Sequence, residues 1–111
     1  MEKLLLMEPT KPGRGTAALT ENEIDAYQDQ LPDWEVIDQD GKKQLHKSYQ
    51  FDDFLSALAF TNRIGALAEE QNHHPALLTT WGKVEVYWST HVIQGLHMND
   101  LISAAKTDAL K

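Results

Sequence analysis

Residues 72–91 read Asn-His-His-Pro-Ala-Leu-Leu-Thr-Thr-Trp-Gly-Lys-Val-Glu-Val-Tyr-Trp-Ser-Thr-His, and this stretch decides the fold. Pro75 ends any helix entering from upstream, because the residue before a proline is pushed out of the helical region. Beyond it, residues 77–81 and 83–90 are two runs with strand character on either side of Gly82, which predicts a hairpin. In the second run Val84, Val86 and Trp88 point to one face and Glu85, Tyr87, Ser89 and His91 to the other, since side chains alternate along a strand.

Upstream of Pro75 a long helix is expected from an N-cap at Asp52 to about Asn72. Its apolar residues Phe54, Leu55, Leu58, Phe60, Ile64 and Leu67 spread over more than one stripe, so it should cover the sheet and something else besides. Further back, Leu45, Tyr49 and Phe51 alternate with His46, Ser48 and Gln50, a strand pattern with Lys47 as the one misfit. Residues 34–38 form a short strand before the turn Asp38-Gln39-Asp40-Gly41. Thr20-Glu21-Asn22-Glu23 has the spacing of a capping box, with Ile24, Tyr27 and Leu31 following at helical intervals until Pro32. A last helix begins near Met98, with Leu101, Ala104, Ala105 and Ala109 apolar. The order is α-β-β-α-β-β-α, which predicts an α+β domain: a four-stranded antiparallel sheet with three helices packed on one face.

Residues 9–18 hold two prolines and two glycines. We therefore expect residues 1–18 to be a flexible lead-in and residues 19–111 to form the domain. The Leu4-Leu5-Leu6 run docks either on the domain or on a neighbouring subunit. It is flanked by Glu2 and Glu8 and is too short for the apolar centre of a signal peptide, so a cytoplasmic protein is expected. With 41% hydrophobic residues the chain can build a core, and with no cysteine it has neither a disulfide framework nor a thiolate metal site. A net charge of −7 disfavours nucleic acid and anionic membranes as partners.

Chemistry concentrates at Asn72-His73-His74-Pro75. A helix end followed by proline can turn both imidazoles toward one cavity, and His91, closing the last strand, could lie nearby. Imidazoles give and take protons near neutral pH. Glu69, four residues before His73, could hold that ring on one helical face. Taken singly, each histidine is as well read as a capping or solvated residue, or as a metal ligand, although the i, i+4 histidine pair of a helical zinc site is missing. His46 and His97 read as surface residues. Trp81 and Trp88 read as packing residues, with a ligand platform as the other reading. Gly13-Arg14-Gly15 is too short for a phosphate loop.

Glu69, His73-His74-Pro75, Trp81, His91 and Asp100 stand at a spacing that resembles the pterin-4a-carbinolamine dehydratase family. In that pattern an acidic residue is followed after three positions by His-His-Pro, then an aromatic, a histidine and an aspartate. The similarity runs from about Leu19 to Leu110 and includes Trp34, Phe51-Asp52-Asp53-Phe54, Ser89-Thr90-His91 and Gly95-Leu96. The resemblance implies dehydration of a 4a-hydroxytetrahydropterin to the quinonoid dihydropterin. His73 and His91 would be the acid–base groups and His74 a pterin-orienting group. Asn72, Ser89, Thr90, Val92 and Trp81 would line the pocket, with Glu69 and Asp100 orienting or structural. It implies neither metal nor redox cofactor, and a homodimer or homotetramer. The alternative is a non-catalytic binding or assembly protein on the same scaffold. Two positions depart from the family pattern: Asn72 stands where some members have aspartate, and His97 where Ser or Thr caps the last helix, which should then start less firmly.

Overall fold

A computed structural model describes residues 2–13 and 15–111. Seven principal elements appear in the expected order. Helix α1 (Glu21–Asp25) carries the complete capping box: Thr20 Oγ1 accepts from the Glu23 amide, and the Glu23 carboxylate accepts from the Thr20 amide. The helix is short, and the chain reaches the buried Leu31 through a 3-10 turn at Gln28–Gln30. Strands β1 (Glu35–Gln39) and β2 (Lys42–Gln50) form an antiparallel hairpin. Its two turn residues, Asp40 and Gly41, both have positive φ, the requirement of the tight turn that matches strand twist.

Helix α2 (Phe54–Gln71) is capped by Asp53 rather than by the expected Asp52: the Asp53 carboxylate accepts from the Ser56 amide at 2.7 Å. This bond to the helix amide holds the Asp53 carboxyl below its usual range. Strands β3 (Ala76–Thr80) and β4 (Lys83–Trp88) make the second hairpin, turning at Trp81-Gly82. Gly82 has φ +76°, and a Cβ there would lie 3.0 Å from the Phe51 carbonyl, so the turn needs glycine on both counts. Helix α3 (Met98–Ala109) closes the domain.

All four strands pair antiparallel in the order β1-β2-β4-β3, so β2 and β4, from different hairpins, lie side by side at the centre. One face of the sheet presents Leu45, Tyr49, Val84, Val86 and Trp88 to the core. Against it pack Ile24 of α1, Ala57, Phe60 and Ile64 of α2, and Leu101, Ile102 and Ala104 of α3. The other face is not covered by helices and carries His46, which bridges Glu35 and Glu85 across three strands with its ring against Tyr87. His46 is therefore a surface residue in position but a paired one. No helix among the described residues is long and apolar enough to cross a membrane.

Lys47, the misfit in the strand pattern, does sit on the core face. Its ammonium lies 6.0 and 5.0 Å from the Trp34 and Tyr49 ring centroids and meets Asp108 at 2.8 Å. Asp108 also accepts from the Trp34 indole at 3.2 Å and from the Tyr49 hydroxyl, so three donors tie the end of α3 to the first hairpin. Burial, reinforced by the Asp108 carboxylate, drives the Tyr49 phenol well above its ordinary range. A phenol raised in the folded state adds stability that is intact below the unfolded pKa of about 10 and is lost as pH climbs past it. Spectrophotometric alkaline titration should show one of the three tyrosines ionising only as the protein unfolds, and Tyr49→Phe should remove that component. A phenolate signal from all three before any loss of structure would contradict it.

The described part of residues 1–18 makes defined contacts with the domain, while Met1 and Arg14 lie outside the described residues. Leu4, in a 3-10 turn at Leu4–Leu6, has no exposed surface and packs on α3 within the core. Its amide donates to the Gln30 side chain at 2.7 Å, and Gln30 donates back to the Glu2 carbonyl. Leu4 thus docks on its own domain while Leu5 and Leu6 stay exposed, and the core begins well before Leu19. Ala104 of α3 is likewise core, whereas α2 leaves Phe54, Leu55 and Leu58 exposed.

Candidate active site

At the C-terminal end of α2 the backbone prepares the two histidines. Asn72 takes the left-handed conformation, φ 52° and ψ 40°, which asparagine tolerates better than most residues. The His73 amide donates to the Ala68 carbonyl at 3.1 Å, closing the helix end as a Schellman motif does. This reversal, followed by Pro75, brings successive side chains onto one cavity instead of opposite sides of a helix.

The cavity, of about 530 Å³, is lined by Asn72, His73, His74, Ser89, Thr90, His91 and Val92. Every member of the predicted constellation except Trp81, Glu69 and Asp100 is on that wall. His91 and Val92 come from a one-turn 3-10 segment, His91–Ile93, pinched at its base where Thr90 and Gly95 bond to each other. Gly95 is needed there because a Cβ would stand 2.9 Å from the Ala18 side chain. Trp81 is not brought to this cavity. The β3–β4 register puts it at the turn beyond the Thr80–Lys83 pair, whereas the cavity adjoins the Ala76–Tyr87 end, and the residue is 73% exposed. Trp88, by contrast, is fully buried.

The two carboxylates divide the histidines differently from expectation. Glu69 meets His74, not His73, because the left-handed Asn72 breaks the helical i, i+4 geometry. That pair is exposed on both sides. His73 is instead held by Asp100: Nε2 lies 2.6 Å from Oδ1, and the ring stacks on Trp88 at 5.3 Å between centroids. Asp100 has no exposed surface, and its second oxygen accepts from Thr90 Oγ1 at 2.7 Å and from the His97 amide at 2.9 Å. The carboxylate is thus both the return half of a capping box for α3 and the support of a cavity histidine. His97 completes that box by accepting from the Asn99 amide at 3.0 Å through Nδ1, so the expected weak start of α3 is not found. An imidazole nitrogen at the right position accepts as a hydroxyl would.

With Nε2 turned to a carboxylate, neutral His73 carries its proton there and offers the Nδ1 lone pair elsewhere, the tautomer being assigned from this contact. His91 is exposed and has no such carboxylate partner among the described residues. Among the described residues no three His, Asp or Glu side chains are grouped as metal ligands are. The cavity also has a wall that residue spacing could not reveal: Pro9, Thr10, Lys11 and Pro12 from the N-terminal segment, with Gln71 and Asn99 beside them.

The α+β fold thus brings three imidazoles to one open cavity, with a buried carboxylate behind the first. Comparison with known proteins gives the family. The profile of the pterin 4 alpha carbinolamine dehydratase family matches residues 17–110, and the chain belongs to that family. A protein of Syntrophotalea carbinolica, provisionally named a pterin-4-alpha-carbinolamine dehydratase, is 54% identical over 96 residues covering 86% of each chain. One from Nitrosococcus oceani with the same provisional name is 47% identical and spans 99% of this chain and 97% of its own. Among solved structures, a transcriptional coactivator/pterin dehydratase from Brucella melitensis superposes with a TM-score of 0.75 at 30% identity, over 84% of this chain and 97% of that one. A pterin dehydratase-like protein identified as a RuBisCO assembly factor in the alpha-carboxysome shares the fold, with a TM-score of 0.61 at 22% identity over 73% of this chain and 92% of that one.

Proposed function

We propose that this protein is a hydro-lyase that dehydrates a 4a-hydroxytetrahydropterin to the quinonoid dihydropterin, the recycling step after aromatic amino-acid hydroxylation. The observation carrying this reading is the convergence of His73, His74 and His91 on one cavity in a chain of this family. The N5 lone pair forms the new C4a=N5 bond as the C4a–O bond breaks; a general acid protonates the departing hydroxyl, and a general base takes the N5 proton. Water leaves and no electron changes hands. The Asp100 contact suits His73 to the base, because it keeps a proton on Nε2 and leaves Nδ1 as acceptor. His91 is then the acid, and His74, steadied by Glu69, orients the pterin. Asn72, Ser89, Thr90 and Val92 supply the remaining pocket contacts. The same reading makes the protein cytoplasmic and a homodimer or homotetramer, its uncovered Phe54, Leu55 and Leu58 on α2 favouring a subunit contact.

The test is to generate the carbinolamine enzymatically and follow its absorbance decay. The protein should accelerate that decay well beyond buffer; decay at the buffer rate would end the enzyme reading in favour of a binding or assembly role. Dialysis against a chelator should change neither activity nor melting, since imidazoles alone move the protons. Activity lost to the chelator and restored by zinc would overturn the metal-free mechanism.

A further inference from the structure

The wall contributed by residues 9–12 lies outside the stretch that matches the family, and the structure holds it firmly. Asn99, 3% exposed in the first turn of α3, accepts from the Thr10 amide at 2.9 Å through Oδ1. It donates to the Thr10 carbonyl through Nδ2 at 2.5 Å. One side-chain amide thus satisfies both backbone groups of Thr10, as a neighbouring strand would. The next residue, Asp100, holds His73, so a single turn of helix positions two parts of the cavity lining. Leu4 anchors the segment upstream in the core, and the Leu19 amide fixes it downstream on the Leu96 carbonyl at 2.8 Å. Pro9 and Pro12 restrict the backbone between, which lowers the entropy lost when a ligand is received.

Such a wall can bind but can do little chemistry. Its one ionisable side chain is Lys11, whose ammonium donates hydrogen bonds. A cavity of about 530 Å³ exceeds what two fused rings fill, leaving room for the ring's substituent. Resting on the pterin reading above, we propose that residues 9–12, clasped by Asn99, form the specificity wall of the pocket. In it Lys11 selects pterins whose substituent carries oxygen acceptors. Asn99 is a positioning residue.

Two substrates separate the possibilities: the carbinolamines made from tetrahydrobiopterin, with its dihydroxypropyl chain, and from 6,7-dimethyltetrahydropterin, with only methyl groups. Asn99→Ala, which frees the segment, should raise KM for the biopterin substrate about tenfold and leave kcat within about twofold, as loss of a binding contact requires. Thr10→Pro deletes the clasp's amide donor from an exposed position and should do the same, so it decides the matter should Asn99→Ala fail to fold. Lys11→Ala should shrink the preference for the biopterin substrate severalfold with little change for the dimethyl one. Folded variants with wild-type KM, or with kcat reduced at constant KM, would overturn the proposal. A wild-type protein inactive on both substrates would instead defeat the pterin dehydratase reading itself.

Discussion

Asp100→Ala should melt far below the parent protein and lose nearly all catalytic acceleration. The carboxylate is wholly buried and serves three groups: the His73 ring, the Thr90 hydroxyl and the His97 amide. Truncation leaves a buried hydroxyl and a helix-start amide without acceptors and removes the reciprocal half of a capping box. Costs of this kind run to about 1–3 kcal/mol for each orphaned group, so a total near 3 kcal/mol is expected. For a domain of this size that lowers Tm by roughly 15 °C. Asp100→Asn separates structure from chemistry. Its carbonyl oxygen can still accept from Thr90 and the His97 amide, so melting should recover most of the loss. Its amide nitrogen, however, would face His73 as a donor and favour the opposite tautomer, so kcat should remain down by about ten- to a hundredfold. Equal melting of the Ala and Asn variants, or wild-type kcat in the Asn variant, would show that Asp100 does not support His73 in this way.

The second large effect falls on the histidines themselves, and the structure distinguishes two that the sequence treats alike. Replacing either His73 or His91 by alanine should lower kcat on the order of a hundredfold, the usual worth of one positioned proton donor or acceptor. Their effects on folding should part. His91 is exposed on a one-turn loop, so His91→Ala should melt within about 0.5 kcal/mol of wild type, as surface changes do. His73 is stacked on Trp88 and bonded to a fully buried carboxylate, so its removal leaves Asp100 facing an empty space. His73→Ala should therefore be measurably less stable as well as slow, and denaturant melts beside the decay assay read both quantities. Comparable stability in the two variants would mean that the His73–Asp100 contact contributes little to the fold.

The likeness to an assembly factor reaches the fold only, and a fold hosts more than one function. What favours catalysis here is local: three imidazoles on a cavity, one of them backed by a buried carboxylate.

The order of elements and the identity of the two core faces were legible in the chain because they rest on local physics. Alternation of Val84, Val86 and Trp88 with Glu85 and Tyr87, the capping box at Thr20, and Pro75 after a helical run each act within a few residues. The histidine pair was legible for the same reason at its helix end and His91 as the end of the last strand, while Asp100 was marked only by the resemblance to the family. Four things were decided only by the three-dimensional structure, two because the partner is remote in sequence and two because a local backbone or ring placement is not encoded in residue spacing. Lys47 breaks the alternation and is accommodated by Asp108, sixty-one residues away. Glu69 takes His74 because Asn72 leaves the helix in a left-handed turn, a backbone choice that helical spacing does not encode. His97 caps α3 because its ring nitrogen happens to be aimed at the Asn99 amide. Residues 9–12 become a wall of the cavity because Leu4 finds the core and Asn99 binds Thr10 across eighty-nine positions. A proline- and glycine-rich stretch advertises freedom in its own sequence; whether it is held is settled by the surface it meets.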